Sequence, residues 1–156
     1  MHSAILILGS NIDPEKNILI GFKKLADRFR IEKTSQIFET AAEGNEGPNF
    51  LNAAIKIHTM FDLNKLKYEH LRCIEDEMGR VRTSDKNAPR TFDVDILIYD
   101  EQIIDNSLWE RLYLAAPLFE LEPTLIHPKS GKSIFQIVEE LKKHYYWIAR
   151  TDISLI

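Results

Sequence analysis

The segment APRTFDVDILIYD, Ala88 to Asp100, sets two carboxylates inside an otherwise apolar run, and it narrows the folds open to this chain more than any other stretch. Residues two apart on a strand share a face, so Asp93 and Asp95 project side by side while Val94, Ile96 and Ile98 face the opposite way. Such a strand needs one packed face and one face that serves ionised groups. Neighbouring carboxylates repel each other and resist desolvation, so keeping both ionised on a half-buried strand requires a compensating positive charge. Mg2+ meets that need, because it prefers hard oxygen ligands and binds through one or two carboxylates together with substrate phosphates. The other reading open at this point is an edge strand with both aspartates in solvent.

The preceding segment GRVRTSDKNAPR supplies Arg80, Arg82, Lys86 and Arg90 against a single Asp85. The whole chain has a formal charge of −4, so it carries no general attraction for nucleic acid or an anionic membrane, and its cations matter where they cluster. Arginine forks bind phosphate oxygens bidentately and stabilise charge that builds up in phosphoryl transfer. Two carboxylates beside such arginines make a polyphosphate site; a solvated basic loop that ion-pairs with the aspartates is the plainer account. Upstream, GPNFLNAA puts Phe50 and Asn52 on one strand face. An aromatic plane beside an amide suits a planar heterocycle, and a core Phe beside a capped Asn gives the same pattern.

The remaining periodicities predict the frame. Ala4 to Leu8 is an aliphatic strand ended by Gly9-Ser10-Asn11. Asp13 caps and Pro14 opens a helix whose inner face is Ile18, Phe22, Leu25 and Phe29. Ile31 to Phe38 and Phe50 to Ile57 are the next strands, separated by the loop TAAEGNEGPN, which is expected to be mobile. Asp62 starts a helix with Leu63, Leu66, Leu71, Ile74 and Met78 along one stripe, Cys73 packed beside it and Gly79 as its stop. After the aspartate strand come a short helix around APLFELEP bounded by Pro117 and Pro123, an amphipathic helix on Ile134, Ile137, Val138 and Leu141, and an edge strand from Tyr145 to Ala149.

Strand, helix, strand, strand, helix, strand is the α+β, ferredoxin-like βαββαβ order: a mainly antiparallel sheet covered by helices in three layers, with extra C-terminal helices. At 156 residues, with no linker or repeat, the expectation is one domain over 1–156. The single Cys73 cannot form an internal disulfide and fits a reducing compartment, hence the cytoplasm. The opening MHSAILILGSN lacks the marks of a signal peptide, and no apolar run suffices for a bilayer span. His58, His70, His127 and His144 stand singly without zinc spacing, so structural roles are expected. No Ser, Cys or Lys has a recognisable activating partner, which argues against a covalent enzyme intermediate.

The run KNAPRTFDVDIL (Lys86 to Leu97), with LGSN (Leu8 to Asn11), FLNAA (Phe50 to Ala54), GRVR (Gly79 to Arg82) and APLFELEPTLIHP (Ala116 to Pro128), resembles the 6-hydroxymethyl-7,8-dihydropterin pyrophosphokinases of folate biosynthesis over nearly the whole chain. The resemblance implies transfer of the β,γ-diphosphoryl group of ATP to the pterin hydroxymethyl oxygen, releasing AMP, with two Mg2+ ions. It implies that Asp93 and Asp95 hold the metals and act with Arg80 and Arg90 in catalysis. Glu75, Arg82, Lys86, Arg90, Ile96 and Arg111 then meet ATP, Arg80 sits on a closing loop, and the TAAEGNEGPN and RTSDKN loops act as lids. Gly9, Thr40, Ala41, Phe50, Asn52 and Tyr113 fall on the pterin side, with Phe50 and Tyr113 sandwiching the ring and Asn52 at its edge. A monomer with no nucleic-acid or membrane partner goes with this reading.

Three departures stand out. The chain is short between IIDNSLW and ERLYLAAPL, where the family has a Pro-His segment with nucleotide contacts. Ala41-Ala42 replaces a common proline pair, which loosens the loop, and Asn87 replaces an aromatic. A slower or weaker-binding enzyme is expected. The alternatives are a catalytically weakened relative that binds nucleotide, a two-metal nucleotidyl transferase or nuclease, which calls for a third carboxylate and a broader basic surface, and a nucleotide- or RNA-binding module, which calls for sheet-face aromatics.

Overall fold

β1 (His2–Ser10) runs through the middle of the sheet and is buried on both faces, which explains its unbroken aliphatic run. Ala4, Leu6 and Leu8 enter one core while Ile5 and Ile7 enter another on the opposite face. The computed structural model describes residues 1–45, 47–82, 84 and 88–156.

β1 pairs with β4 (Phe50–Thr59) on one side and β5 (Asp93–Tyr99) on the other. Beyond β4 lie β2 (Arg30–Thr34) and β3 (Phe38–Thr40); β6 (Gln102–Ile103) extends the sheet past β5, and β7 (Trp147–Ala149) past β3. The order is β6-β5-β1-β4-β3-β7 with β2 also on β4, and these pairings are all antiparallel. One face is covered by α1 (Pro14–Arg28), α2 (Leu63–Lys65) and α3 (Arg72–Glu77), the other by α4 (Leu112–Leu121) and α5 (Ile134–Lys142). This is the three-layer, ferredoxin-like α+β arrangement expected. Among the described residues no helix is long and apolar enough to cross a membrane.

Local chemistry moves several boundaries. The strand expected over Ile31 to Phe38 is broken into β2 and β3, because Ser35 bonds Ala54 through both its N–H (2.9 Å to the carbonyl) and its hydroxyl (2.8 Å from the amide). A serine that competes for the ladder in this way bends the chain. Asp13 does not cap α1 with its side chain: it takes the left-handed region at φ 39°, which Asp tolerates, and its carbonyl accepts from Lys16 and Asn17 instead. Asp62 does cap, accepting from the Lys65 amide at 2.8 Å, but the helix it opens passes through a π-helical turn, Leu66–Leu71, before α3. Cys73 is exposed beside Glu77 rather than packed against the stripe.

Pro117 lies inside α4 and does not begin it. Its missing N–H forfeits one bond to Tyr113, and burial of Leu112, Leu114, Ala115, Ala116, Leu118 and Leu121 outweighs that loss. The expected edge strand after α5 is confined to β7. Ile98 does not share a face with Val94 and Ile96. The register of β1 on β5 slips between Ile5 and Leu6 and skips Leu97, so Leu97 and Ile98 both enter the core under α4 and α5.

Candidate active site

Asp93 begins β5, and its place is fixed by the residues that lead into the strand. Phe92 is fully buried against α1 at Gly21. The Arg90 main chain is locked to Asn11 by two bonds, its N–H donating to Asn11 Oδ1 at 2.7 Å and its carbonyl accepting from the Asn11 N–H at 3.0 Å. The end of β1 therefore holds the approach to β5, and Asp93 and Asp95 both face a cavity of about 280 Å³ at the ends of β1, β3, β4 and β5. Gly9, Thr40, Ala41, Phe50, Asn52, Arg90, Arg111 and Tyr113 line the same cavity. Gly9 lies directly against residues expected on the pterin side: a Cβ there would make ordinary contacts, 3.4 Å from Asn52 Oδ1 and 3.7 Å from the Phe50 ring.

On the wall away from the aspartates, Asn52 is buried and donates to Thr40 Oγ1 at 2.8 Å, which leaves Oδ1 open to accept. Arg111 donates to Glu43 and, at 3.2 Å, to the Tyr113 hydroxyl. Burial raises the Tyr113 pKa despite that donation. Arg111 thus stands beside Tyr113, apart from the Glu75 group.

The second group joins the cavity through Asp93. Arg80 and Arg90 both donate to the Asp93 carboxylate, Arg90 at 2.7 Å. Glu75, on α3, accepts from the Val94 amide at 3.0 Å, from Arg80 at 3.2 Å and from Arg82 at 3.0 Å, and Arg82 also reaches Asp76. Burial, then the hydrogen bond and charge of Asp93, push the Glu75 carboxyl up to about 8. The Asp93 carboxyl is also raised by burial, but the Glu75 hydrogen bond and the Arg80 and Arg90 charges outweigh that and hold it below its ordinary value. Asp95 is the exception. No described residue donates a hydrogen bond to it, and desolvation and then the Asp93 charge push it up to about 6, against the weaker pull of Arg80, Arg90 and Lys67. An under-compensated carboxylate beside a paired one, both facing a cavity, is a donor set that fits a hard divalent cation completed by phosphate oxygens.

Of the other expected residues, Ile96 is buried in the core beneath α1 and α3, so its side chain is not on the cavity wall. Lys86, Asn87 and most of the RTSDKN segment lie outside the described residues, as does Glu46 of the other expected lid. Asn11, Glu43 and Asp105 also serve the site without having been expected there, and Glu43 and Asp105 lie on the cavity wall. Only Asn11 left a signal, as the last residue of LGSN.

The family model for 7,8-dihydro-6-hydroxymethylpterin-pyrophosphokinase (HPPK) matches residues 5–123. The chain belongs to this family. Among HPPK relatives, the 2-amino-4-hydroxy-6-hydroxymethyldihydropteridine pyrophosphokinase of Aquifex aeolicus is 36% identical over 151 residues, covering 90% of this chain and 92% of that one. The folic acid synthesis protein FOL1 of Dictyostelium discoideum is 35% identical over 133 residues, 79% of this chain, which spans only 20% of that relative's length. The Plasmodium falciparum HPPK-DHPS crystal structure shares the fold at a TM-score of 0.68 and 12% identity, over 90% of this chain and 44% of that one. The aspartates, the arginines of GRVR and the Asn52–Thr40 pair all fall inside the segment matched to HPPK.

Proposed function

We propose that residues 1–156 form a single-domain enzyme, monomeric and cytoplasmic, that transfers diphosphate from ATP to the hydroxymethyl oxygen of 6-hydroxymethyl-7,8-dihydropterin, giving AMP and the pterin diphosphate in folate biosynthesis. The observation that carries this reading is one cavity of about 280 Å³ with Asp93, Asp95 and Arg90 on one wall and Phe50, Asn52 and Tyr113 on another. A nucleotide polyphosphate and a flat heterocycle would meet there. Phe50 offers a ring face and excludes water, while Asn52 Oδ1 accepts from an N–H on the pterin edge, its amide being held by Thr40.

Transfer of a diphosphoryl group needs little covalent help from the protein, so the residues serve by position and charge. Arg80, Arg82 and Arg90 exchange their present carboxylate partners for phosphate oxygens, and the bidentate fork of each suits that exchange. Asp93 and Asp95 would hold Mg2+. When bound, Mg2+ would supply the positive charge that neutralises charge developing as the β,γ-diphosphoryl group leaves AMP. The two-metal nuclease reading asks for a third carboxylate ligand. Among the described residues no group of three or more Asp, Glu, His or Cys side chains is placed to hold a metal.

The test is to mix the protein with ATP, Mg2+ and the reduced pterin and to follow nucleotide products by chromatography. AMP that forms only with pterin present is expected; ADP as the product, or nucleotide turnover indifferent to pterin, sinks the assignment.

A further inference from the structure

The loop between β3 and β4 begins after Thr40 and ends before Phe50, two cavity-lining residues that pair across the strands. Immediately behind them, the Asn49 side-chain amide donates to one carboxylate oxygen of Glu39 at 3.1 Å, closing the neck of that loop. The other oxygen of Glu39 accepts from Arg150 at 2.8 Å. Arg150 is itself held: its backbone N–H donates to the Ile37 carbonyl at 2.8 Å, and its guanidinium also donates to Glu15 at 3.3 Å and to both oxygens of Asp152 at 2.9 Å. Its side chain is 19% exposed and that of Glu39 is 21% exposed, so the pair is shielded enough to hold one geometry. Residues adjacent along a strand point to opposite faces, so Glu39 faces away from the cavity that Thr40 lines. Arg150 lies beyond the 5–123 segment that the family model matches.

We infer that Glu39 is a positioning residue for the pterin pocket: the Arg150–Glu39–Asn49 brace sets the spacing between Thr40, with its partner Asn52, and the Phe50 ring. The inference rests on the pterin reading of the cavity. A neck held from the C-terminal segment keeps the amide and the ring in register, whereas a neck left open lets the loop carry Phe50 away from Asn52. The carboxylate–phosphate half of the site is not touched by the brace, so its loss falls on one substrate alone.

Asn49 is exposed, so Asn49→Ala opens the neck without threatening the fold. Glu39→Ala removes both arms, and Glu39→Gln restores an acceptor for Asn49. Pterin affinity is read from the quenching of pterin fluorescence, and both KM values from AMP formation. Asn49→Ala and Glu39→Ala are expected to weaken pterin binding about fivefold, the worth of one ordinary hydrogen bond, with Glu39→Gln recovering most of it and the KM for ATP unmoved. Unchanged pterin affinity in Asn49→Ala overturns the brace, and so does a joint rise of both KM values with a fall in Tm, which would mark a general structural defect. A wild-type protein that makes AMP but whose variants bind pterin normally leaves the pyrophosphokinase reading standing and removes only the brace; a wild type that binds no pterin removes both.

Discussion

Asp95 carries the least compensated charge of the site. Asp93, next to it on the same strand face, has two arginines and Glu75, while Asp95 has only their distant pull. Although Asp95 is exposed to solvent, the protein crowded around its carboxyl and then the Asp93 charge push it from an ordinary 3.8 up to about 6. A raised carboxyl pKa means that the folded chain holds the proton more tightly than the unfolded chain. The contribution to stability is then fully present below about pH 4 and lost as pH rises through about 6. Ligand-free protein therefore bears a repulsion at neutral pH that Asp95→Asn relieves. Because Asp95 opens to the cavity and solvent screens it, the gain should be on the order of 1 kcal/mol. Urea denaturation with chelator present should show Asp95→Asn as the more stable protein at pH 7.5 and no gain at pH 4, while pterin-dependent AMP formation is lost. Equal stability of variant and wild type at pH 7.5 would remove the claim that Asp95 is under-compensated.

At the scale of elements, β5 is delivered to the cavity by its packing on α1. Gly21 on that helix leaves room for the Phe92 ring, which is fully buried one residue before Asp93, and a Cβ on Gly21 would collide with the ring. Gly21→Ala, usually favourable in a helix, should here cost about 2 kcal/mol by overpacking, and Phe92→Leu in the same chain should return part of the loss because the two changes share one space. Thermal denaturation of the two single variants and the double variant decides it; additive losses would place the strain elsewhere. Nothing in PEKNILIGFKK marks Gly21 as a packing glycine, since the partner ring is far along the chain. The same limit governed the rest of the frame. Side-by-side aspartates, the α1 stripe and the strand order were legible because they depend on periods of 2 and 3.6 within a single segment. Periodicity alone cannot place Ile98, whose face is set by a slip against β1, or the break at Ser35, made through a partner on β4, or Pro117 inside α4, which burial rather than propensity holds. In the site itself, aspartates and arginines were legible as a phosphate motif. That the arginines close on Asp93, Glu75 and Asp76 needed α3 and β5 in space.

Taken as a whole molecule, an acidic chain has set Arg80, Arg82 and Arg90 against its carboxylates in one site and left Asp95 under-compensated. Arg80 and Arg90 serve Asp93, and Arg82 serves Glu75 and Asp76. A nucleotide offering phosphates to these arginines must strip them from carboxylates, and the stripped carboxylates then repel each other unless another cation replaces the arginines. On the proposed reading nucleotide and divalent cation are linked: each should raise the affinity for the other, and by the same factor. A non-hydrolysable ATP analogue alone is expected to shift Tm little. With Mg2+ present at saturating levels, about 100 times the dissociation constant, the stabilisation should be about 2.7 kcal/mol, worth roughly 5–10 °C in a chain of this size. Calorimetric titration of Mg2+ with and without the analogue supplies the reciprocal measurement. The same Tm rise with and without Mg2+ would mean that phosphate needs no relay from carboxylate to metal, and the arginines would then have to reach the nucleotide without leaving Asp93.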